Sequence, residues 1–480
     1  MIMILKNYIY NAIFQVLRII LPFITMPYVA RVLSPEGVGA YSVSAAWANY
    51  FMILGMIGID TYGSRQIAYV RENVVEKKKE FWEINTLKSI STLFFIFLYT
   101  ILIFGIIKPD NYVLYLIQLL NLFSCFFDVS WYFTGMENFK STSMRNVVVK
   151  VISTIAIFVL VKKQDDVWLY TLILCLGQLL GQLVMWKEIY KELFPIELPK
   201  VYALLPHFKK TLLLWVPSLA ASIYNYLDKV MLGTFSNEFQ VGLYEYSQNI
   251  VKVPAVLIFT IATVTMPHTA SDFAKKNDAK MSNIFNTSMG VVSMLSIPMC
   301  IGFIAISDNF ISWFLGSQYG EVAALIKISA WIIIPISWSQ IIGSQLIIAK
   351  SREKMYSISI CSGAVVNVLL NLLLVQKFEA RGVLVASVIA EIVVLAAMIR
   401  QVREEICFKK AFEGVFKYLL VSIIMFIPTR LLQNCDVILE AGITVLQIFV
   451  GIVIYFTLLL LLKDKNIMLL ISKVKEKVKK

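Results

Sequence analysis

Val38-Gly39-Ala40-Tyr41-Ser42-Val43-Ser44 and Val241-Gly242-Leu243-Tyr244-Glu245-Tyr246-Ser247 share the pattern VGxYxxS, 203 positions apart. Each copy opens a long apolar run, and the second lies six runs downstream of the first. A chain that crosses a membrane reverses direction at every crossing. An even number of crossings therefore points both copies the same way and predicts two parallel six-helix repeats related by an axis along the membrane normal.

The composition around the repeat demands a membrane. Of 480 residues, 59% are hydrophobic and 16% charged, which no ordinary soluble domain matches. A hydrocarbon core about 30 Å thick needs roughly 20 apolar residues per helix. Apolar runs broken by charge or by Gly/Pro clusters predict about fourteen spans, near 7–33, 36–62, 82–107, 110–135, 142–162, 165–190, 211–235, 238–266, 282–306, 320–348, 354–376, 379–402, 413–433 and 440–462. The expected fold is all-α: two pseudo-symmetric six-helix lobes, residues 1–190 and 211–405. A linker at 191–210 carries Pro195, Pro199 and Pro206, and two extra helices with a basic tail fill 406–480.

The net charge of +13 would fit nucleic acid if it formed one patch. It sits instead in short clusters between apolar runs. With a cytoplasmic N-terminus, about 31 of the 44 basic residues fall on the inner side, including Arg65, Arg71, Lys77–Lys79, Lys275, Lys350, Arg352, Arg400 and Lys409. That bias predicts both termini in the cytoplasm. The outer connections are short, so an external catalytic domain is not expected. The first apolar run is long and lacks a small-residue cleavage site, so the first span is expected to be retained. Cys125, Cys175, Cys300 and Cys361 lie inside apolar runs without a CxxC pair, as reduced structural thiols do.

Polar stripes inside spans must face protein or water. Asn7, Asn11, Gln15, Arg18, Pro22 and Thr25 form one face of span 1 at helical spacing. Ser218, Ser222, Asn225 and Lys229 do so in span 7, and Glu245, Gln248, Asn249 and Lys252 in span 8. Uncharged members of such stripes also serve simply as interhelical glue. A cation at mid-span costs about 2.5–3.5 kcal/mol on insertion scales, so Arg18 and Lys252 are the foremost candidates for a substrate-binding role. Gln15, Asn11, Asn225, Lys229, Gln248 and Asn249 accompany them. Lys88, Lys150, Lys229 and Lys327 lie nearer span ends, where snorkelling to the interface explains them. Asp60, Asp128, Asp228, Glu245 and Glu391 are intramembrane carboxylates, either paired with a nearby cation or available for ion coupling.

The chain has no Walker A pattern, no GxGxxG after a strand, no HExxH and no GxSxG, which disfavours direct ATP hydrolysis. No catalytic residue, metal or cofactor is expected. His207 and His268 fall at cytoplasmic edges and read as surface residues.

Pro27-Tyr28-Val29-Ala30-Arg31-Val32-Leu33-Ser34-Pro35-Glu36-Gly37-Val38-Gly39-Ala40-Tyr41, with Gly58-Ile59-Asp60-Thr61-Tyr62-Gly63-Ser64-Arg65, resembles the Wzx-type polysaccharide flippases of the multidrug/oligosaccharidyl-lipid/polysaccharide (MOP) exporter superfamily. Ser222-Ile223-Tyr224-Asn225-Tyr226-Leu227-Asp228-Lys229-Val230-Met231-Leu232-Gly233 is similar to that family too. The resemblance implies two six-helix lobes, two extra C-terminal helices and a cavity lined by helices 1, 2, 7 and 8. It also implies a transporter, not an enzyme.

The expected activity is the flipping of an undecaprenyl-pyrophosphate-linked oligosaccharide across a bacterial cytoplasmic membrane by alternating access. The product would feed capsule, O-antigen, exopolysaccharide or teichoic-acid-type synthesis. Coupling would be to membrane potential, H+ or Na+. Membrane lipids and a polysaccharide polymerase with its chain-length machinery are the expected partners, and nucleic acid is not. A multidrug exporter of the same superfamily is the nearest rival, but exporters of cationic drugs should favour buried acids over buried bases, and the deepest striped charges here are cationic. A membrane-embedded glycosyltransferase or polymerase would need a large outer loop or an acid cluster. A membrane scaffold would need no charged stripes.

Overall fold

The computed structural model describes residues 2–275, 278–405, 407–434 and 439–478, and all their regular structure is helical. Two compact units emerge, Met1–Gly242 and Leu243–Lys480. The first contains α1 Ile2–Met56, α2 Ile59–Val70, α3 Val74–Thr100, α4 Tyr112–Phe126, α5 Ser130–Gly135, α6 Phe139–Leu160, α7 Val167–Leu193 and α8 Val201–Phe235. Helix α9, Glu238–Ala274, begins at its end and continues into the second unit. That unit adds α10 Asp278–Phe314, α11 Gly320–Ser329, α12 Ile333–Ile342, α13 Glu353–Val402, α14 Phe408–Ala411, α15 Val415–Leu431, α16 Glu440–Leu461 and α17 Lys465–Val478.

Among the described residues, 10 helical stretches are long and apolar enough to cross a membrane. Helices α1 and α13, of 55 and 50 residues, are each long enough for two crossings and each is broken at one residue. In α1 the break is at Ser34 (φ 62°, ψ 166°) and in α13 at Glu379 (φ 48°, ψ −133°). Helices α8 and α9 add 35 and 37 residues, ample at 1.5 Å per residue. Helix therefore covers each of the fourteen expected crossings, with 36–62 interrupted at 57–58 and 110–135 at 127–129.

The break at Ser34 follows from local chemistry. Pro35 disfavours a helical residue before it and suits the first turn after it. The Ser34 hydroxyl accepts a hydrogen bond from the Gly37 amide at 3.5 Å, in the manner of a helix N-cap. The predicted span 320–348 is not one helix: a 3₁₀ turn at Ala330–Ile332 joins α11 to α12, and a π turn follows at Gly343–Ile347. Pro335, lacking an amide hydrogen and crowding the carbonyl four residues back, accounts for the first interruption.

Packing sets which faces meet lipid. On α3, Ile90, Leu93, Phe94 and Phe97 are exposed at helical spacing, and Val445, Ile448, Phe449 and Ile452 repeat the pattern on α16. Only hydrocarbon makes such stripes favourable. The opposite face of α3 joins an aromatic core in which Phe81 stacks on Trp131 at 5.4 Å and meets Tyr132 edge-on at 5.3 Å. Trp82 and Trp186 donate their indole N–H groups to the carbonyls of Leu193 and Phe127 at 2.9 and 2.8 Å, so the buried Trp82 and the partly buried Trp186 leave no orphaned donor. In the second unit α10 is the central helix, packed by α11, α12, α15 and α16.

Two glycines permit the tightest approach in the first unit. A methyl group on Gly39 would lie 1.7 Å from the Glu238 carbonyl oxygen, and one on Gly242 would lie 2.0 Å from that of Pro35. Nearby, a methyl on Gly233 would strike Val43 at 2.6 Å, which explains how α8 nests against α1.

Candidate functional site

The side chains of Asn11, Gln15, Arg18 and Asn225 lie outside the described residues, as does that of His268. The remaining candidates can be placed. On α8, Asp228 is buried while Lys229 is partly exposed. The Asp228 carboxylate is close enough to act electrostatically on Tyr50, whose ring lies 6.1 Å from that of Tyr226. On α9, Lys252 and Asn249 are exposed and Gln248 is buried. Asn249 donates to Glu245 Oε1 at 3.0 Å, one helical turn away. Glu391, on α13, is buried near Tyr356.

Asp60, Lys88 and Asp128 come together in the first unit. Asp60 stands in the first turn of α2, where the helix N-terminus favours an anion. Asp128 interrupts the chain between α4 and α5. Its Oδ1 accepts from the Ser130 amide at 2.7 Å and the Ser130 hydroxyl at 2.6 Å, so this carboxylate starts the next helix. Lys88 Nζ donates to the Asp128 carbonyl and lies within electrostatic reach of both carboxylates.

This arrangement corrects one expectation. Lys88 does not snorkel: it is fully buried, and the cluster neutralises it. Lys327 is also paired, to Asp308 at 2.7 and 2.9 Å, and Arg430 meets the same carboxylate at 2.6 Å. One acid thus joins α10, α11 and α15. Spacing within a single helix could not find these pairs, because each partner comes from another helix.

His207 is a second correction. It is buried, not on the surface, because α8 lays it against α2 and α3. Tyr62 Oη is 2.7 Å from its Nδ1, and Glu83 Oε2 is 2.8 Å from its Nε2. Sequence reading missed this chain of contacts entirely. The only local signal was a histidine flanked by apolar residues in a proline-bounded segment.

Just beyond the end of α13, Glu405 joins Lys350 and Arg352. Burial alone would raise this carboxyl, but hydrogen bonds from both cations outweigh it and hold Glu405 below the usual carboxylate range.

Apolar stripes turned outward, over long helices whose buried charges are paired or capped, define a polytopic membrane protein. The chain belongs to the polysaccharide biosynthesis protein family, whose model matches residues 4–271. It is 19% identical over 398 residues to a Shigella dysenteriae protein described as "Putative O-antigen transporter", covering 80% of this chain and 96% of that one. Among solved structures, the lipid II flippase MurJ in an inward closed conformation aligns at a TM-score of 0.76 and 17% identity, over 96% of this chain and 99% of that one. An inward-facing multidrug resistance MATE family transporter of the MOP superfamily aligns at 0.61 and 15% identity, over 79% of this chain and 94% of that one. The Wzx-type, MOP-superfamily resemblance read from the motifs therefore stands, and the relatives are transporters and flippases, not enzymes.

Proposed function

We propose that this protein carries a lipid-linked oligosaccharide from the inner to the outer leaflet of a bacterial cytoplasmic membrane, by alternating access and with both termini inside. The cargo on this reading is an undecaprenyl-pyrophosphate-linked glycan bound for a surface polysaccharide, handed on to a polymerase and its chain-length machinery. Family membership and the transporter relatives support it. The observation that carries it is the accessibility of the cations on the striped helices α8 and α9. Lys252 on α9 is exposed and Lys229 on α8 partly so; of the acids beside them, Asp228 is buried and Glu245 is partly exposed and hydrogen-bonded to Asn249.

An anionic pyrophosphate needs accessible cations, with Arg18 as a planar fork and Lys252 as a mobile point charge. Gln15, Asn11, Asn225, Gln248 and Asn249 would then contact the glycan. Outward movement of an anion from a negative interior is downhill by about 2.3 kcal/mol per charge per 100 mV, so a doubly charged headgroup gains roughly 4–5 kcal/mol. The membrane potential alone could bias the cycle, and Asp60, Asp128, Asp228, Glu245 and Glu391 are the residues through which H+ or Na+ would act if it contributes.

The test is surface polysaccharide output in cells expressing Arg18→Ala or Lys252→Ala, normalised to folded protein in the membrane. A loss of at least tenfold in each is expected. Normal output from both would overturn the reading.

A further inference from the structure

Glu80 and Glu83 stand three residues apart on α3, on one helix face, and His207 approaches them from α8. One ligand atom from each of the three lies within 4.8 Å of the others. Glu83 and His207 are each 7% exposed. Glu80 Oε2 is enclosed by protein and has no hydrogen-bond partner. The nearest compensating cation is Lys79, 3.9 Å from Glu83 Oε1 and itself largely exposed. Two carboxylates thus converge on one imidazole with an oxygen to spare.

We propose that Glu80, Glu83 and His207 form a binding site for a divalent transition-metal ion of the zinc type. One imidazole nitrogen and two carboxylate oxygens make a donor set that suits Zn2+, with a fourth tetrahedral position left for water. Bonds of about 2.0–2.2 Å place tetrahedral ligands roughly 3.3 Å apart. The 2.8 Å separation between His207 Nε2 and Glu83 Oε2 needs to widen only slightly, and the third ligand is already within reach.

Tyr62 supplies the supporting contact. Without metal, Nε2–H donates to Glu83 while Nδ1 accepts from the Tyr62 hydroxyl. With metal on Nε2, the proton moves to Nδ1 and donates to Tyr62 Oη. A phenol serves either role without moving, and such a partner fixes the ring of a metal-bound histidine. The ring is further held by edge-on contact with Tyr62 at 5.7 Å. A bound ion would staple the start of α8, just after the proline-bounded segment 194–200, to α3. It would act as a structural tie within the first unit, independent of whatever cargo the protein carries.

The experiment uses the full chain purified in detergent, stripped with chelator and titrated with ZnCl2 in a calorimeter. One equivalent should bind, with affinity at least tenfold weaker in Glu80→Gln and in His207→Gln. Zinc should raise the melting temperature of the native protein and not of the variants. Zinc-edge absorption should report one nitrogen and two to three oxygen neighbours. If His207→Gln does not fold, Glu80→Gln at its half-buried position carries the comparison. Absence of stoichiometric uptake, or equal affinity in the native protein and Glu80→Gln, would overturn the proposal and leave a hydrogen-bonded Tyr–His–Glu chain.

Discussion

Gly39 and Gly242 each press on the backbone four residues upstream of the other: Gly39 on Glu238, Gly242 on Pro35. The two glycines hold the same position in the two copies of the VGxYxxS repeat, and Pro35 and Glu238 stand three residues before each copy at the same offset. The contact is reciprocal, as it is where a surface meets its own symmetry mate. Without side chains at these points, the two helix starts cross at backbone distance, much as small residues allow elsewhere in membranes.

Gly39→Ala and Gly242→Ala should each destabilise the protein by about 1–3 kcal/mol or more, since a carbonyl cannot swing aside as a side chain can. Alanine's better helix propensity returns at most about 1 kcal/mol. Gly320→Ala is the control, because a methyl there meets nothing within 4 Å. Thermal melts in one detergent should show lowered midpoints for the first two and an unchanged or raised midpoint for the third.

Removing the buried ammonium at position 88 would leave Asp60 and Asp128 without their shared cation and the Asp128 carbonyl without its donor. Lys88→Ala should cost about 1–3 kcal/mol, because the carboxylates it leaves, Asp60 and Asp128, are exposed and half-buried. Adding Asp60→Asn should recover part of the loss. A double-mutant cycle on melting free energies reads the coupling, and strict additivity would refute it.

Asp308 neutralises two cations from different helices, and all three side chains are 27–36% exposed. Asp308→Asn should cost about 1–3 kcal/mol, held toward the lower end by that exposure. Lys327→Met in the same background should relieve the remaining repulsion. Melting of the single and double variants checks the order: native, then double, then single.

Glu405 gives a pH dependence of definite sign. Its carboxyl is held low when folded, so the unfolded chain binds its proton first as pH falls. Stabilisation from the pair with Lys350 and Arg352 is therefore complete above the ordinary glutamate value of about 4.3 and is lost as pH drops through the depressed folded value. Native protein and Glu405→Gln should differ in melting temperature at pH 7 and converge toward pH 3. A constant gap across that range would contradict the pairing.

Much of the architecture was readable from residue order alone because bilayer thickness imposes it. Runs of the necessary length, with Ser34-Pro35 and the Gln376–Glu379 region as their boundaries, predicted the breaks now seen at Ser34 and Glu379. The candidate site was legible only as faces of single helices. Helical spacing showed that Asn249 and Glu245 share a stripe, and they do hydrogen-bond. It could not show what stands opposite. Lys88 meets Asp128 across 40 residues and His207 meets Glu83 across 124, and such partners depend on how helices pack. The break within 320–348 was overlooked for a different reason: hydropathy averages over a window and is blind to the one amide hydrogen missing at Pro335.

The breaks at Ser34 and Glu379 leave a single non-helical residue between consecutive crossings. Neither hairpin has slack. An epitope tag, fluorophore cysteine or protease site inserted at either bend would have to unravel helix on both sides to be accommodated. Reporters of movement are better placed in the irregular stretch 194–200, where the backbone is already free of helical hydrogen bonding.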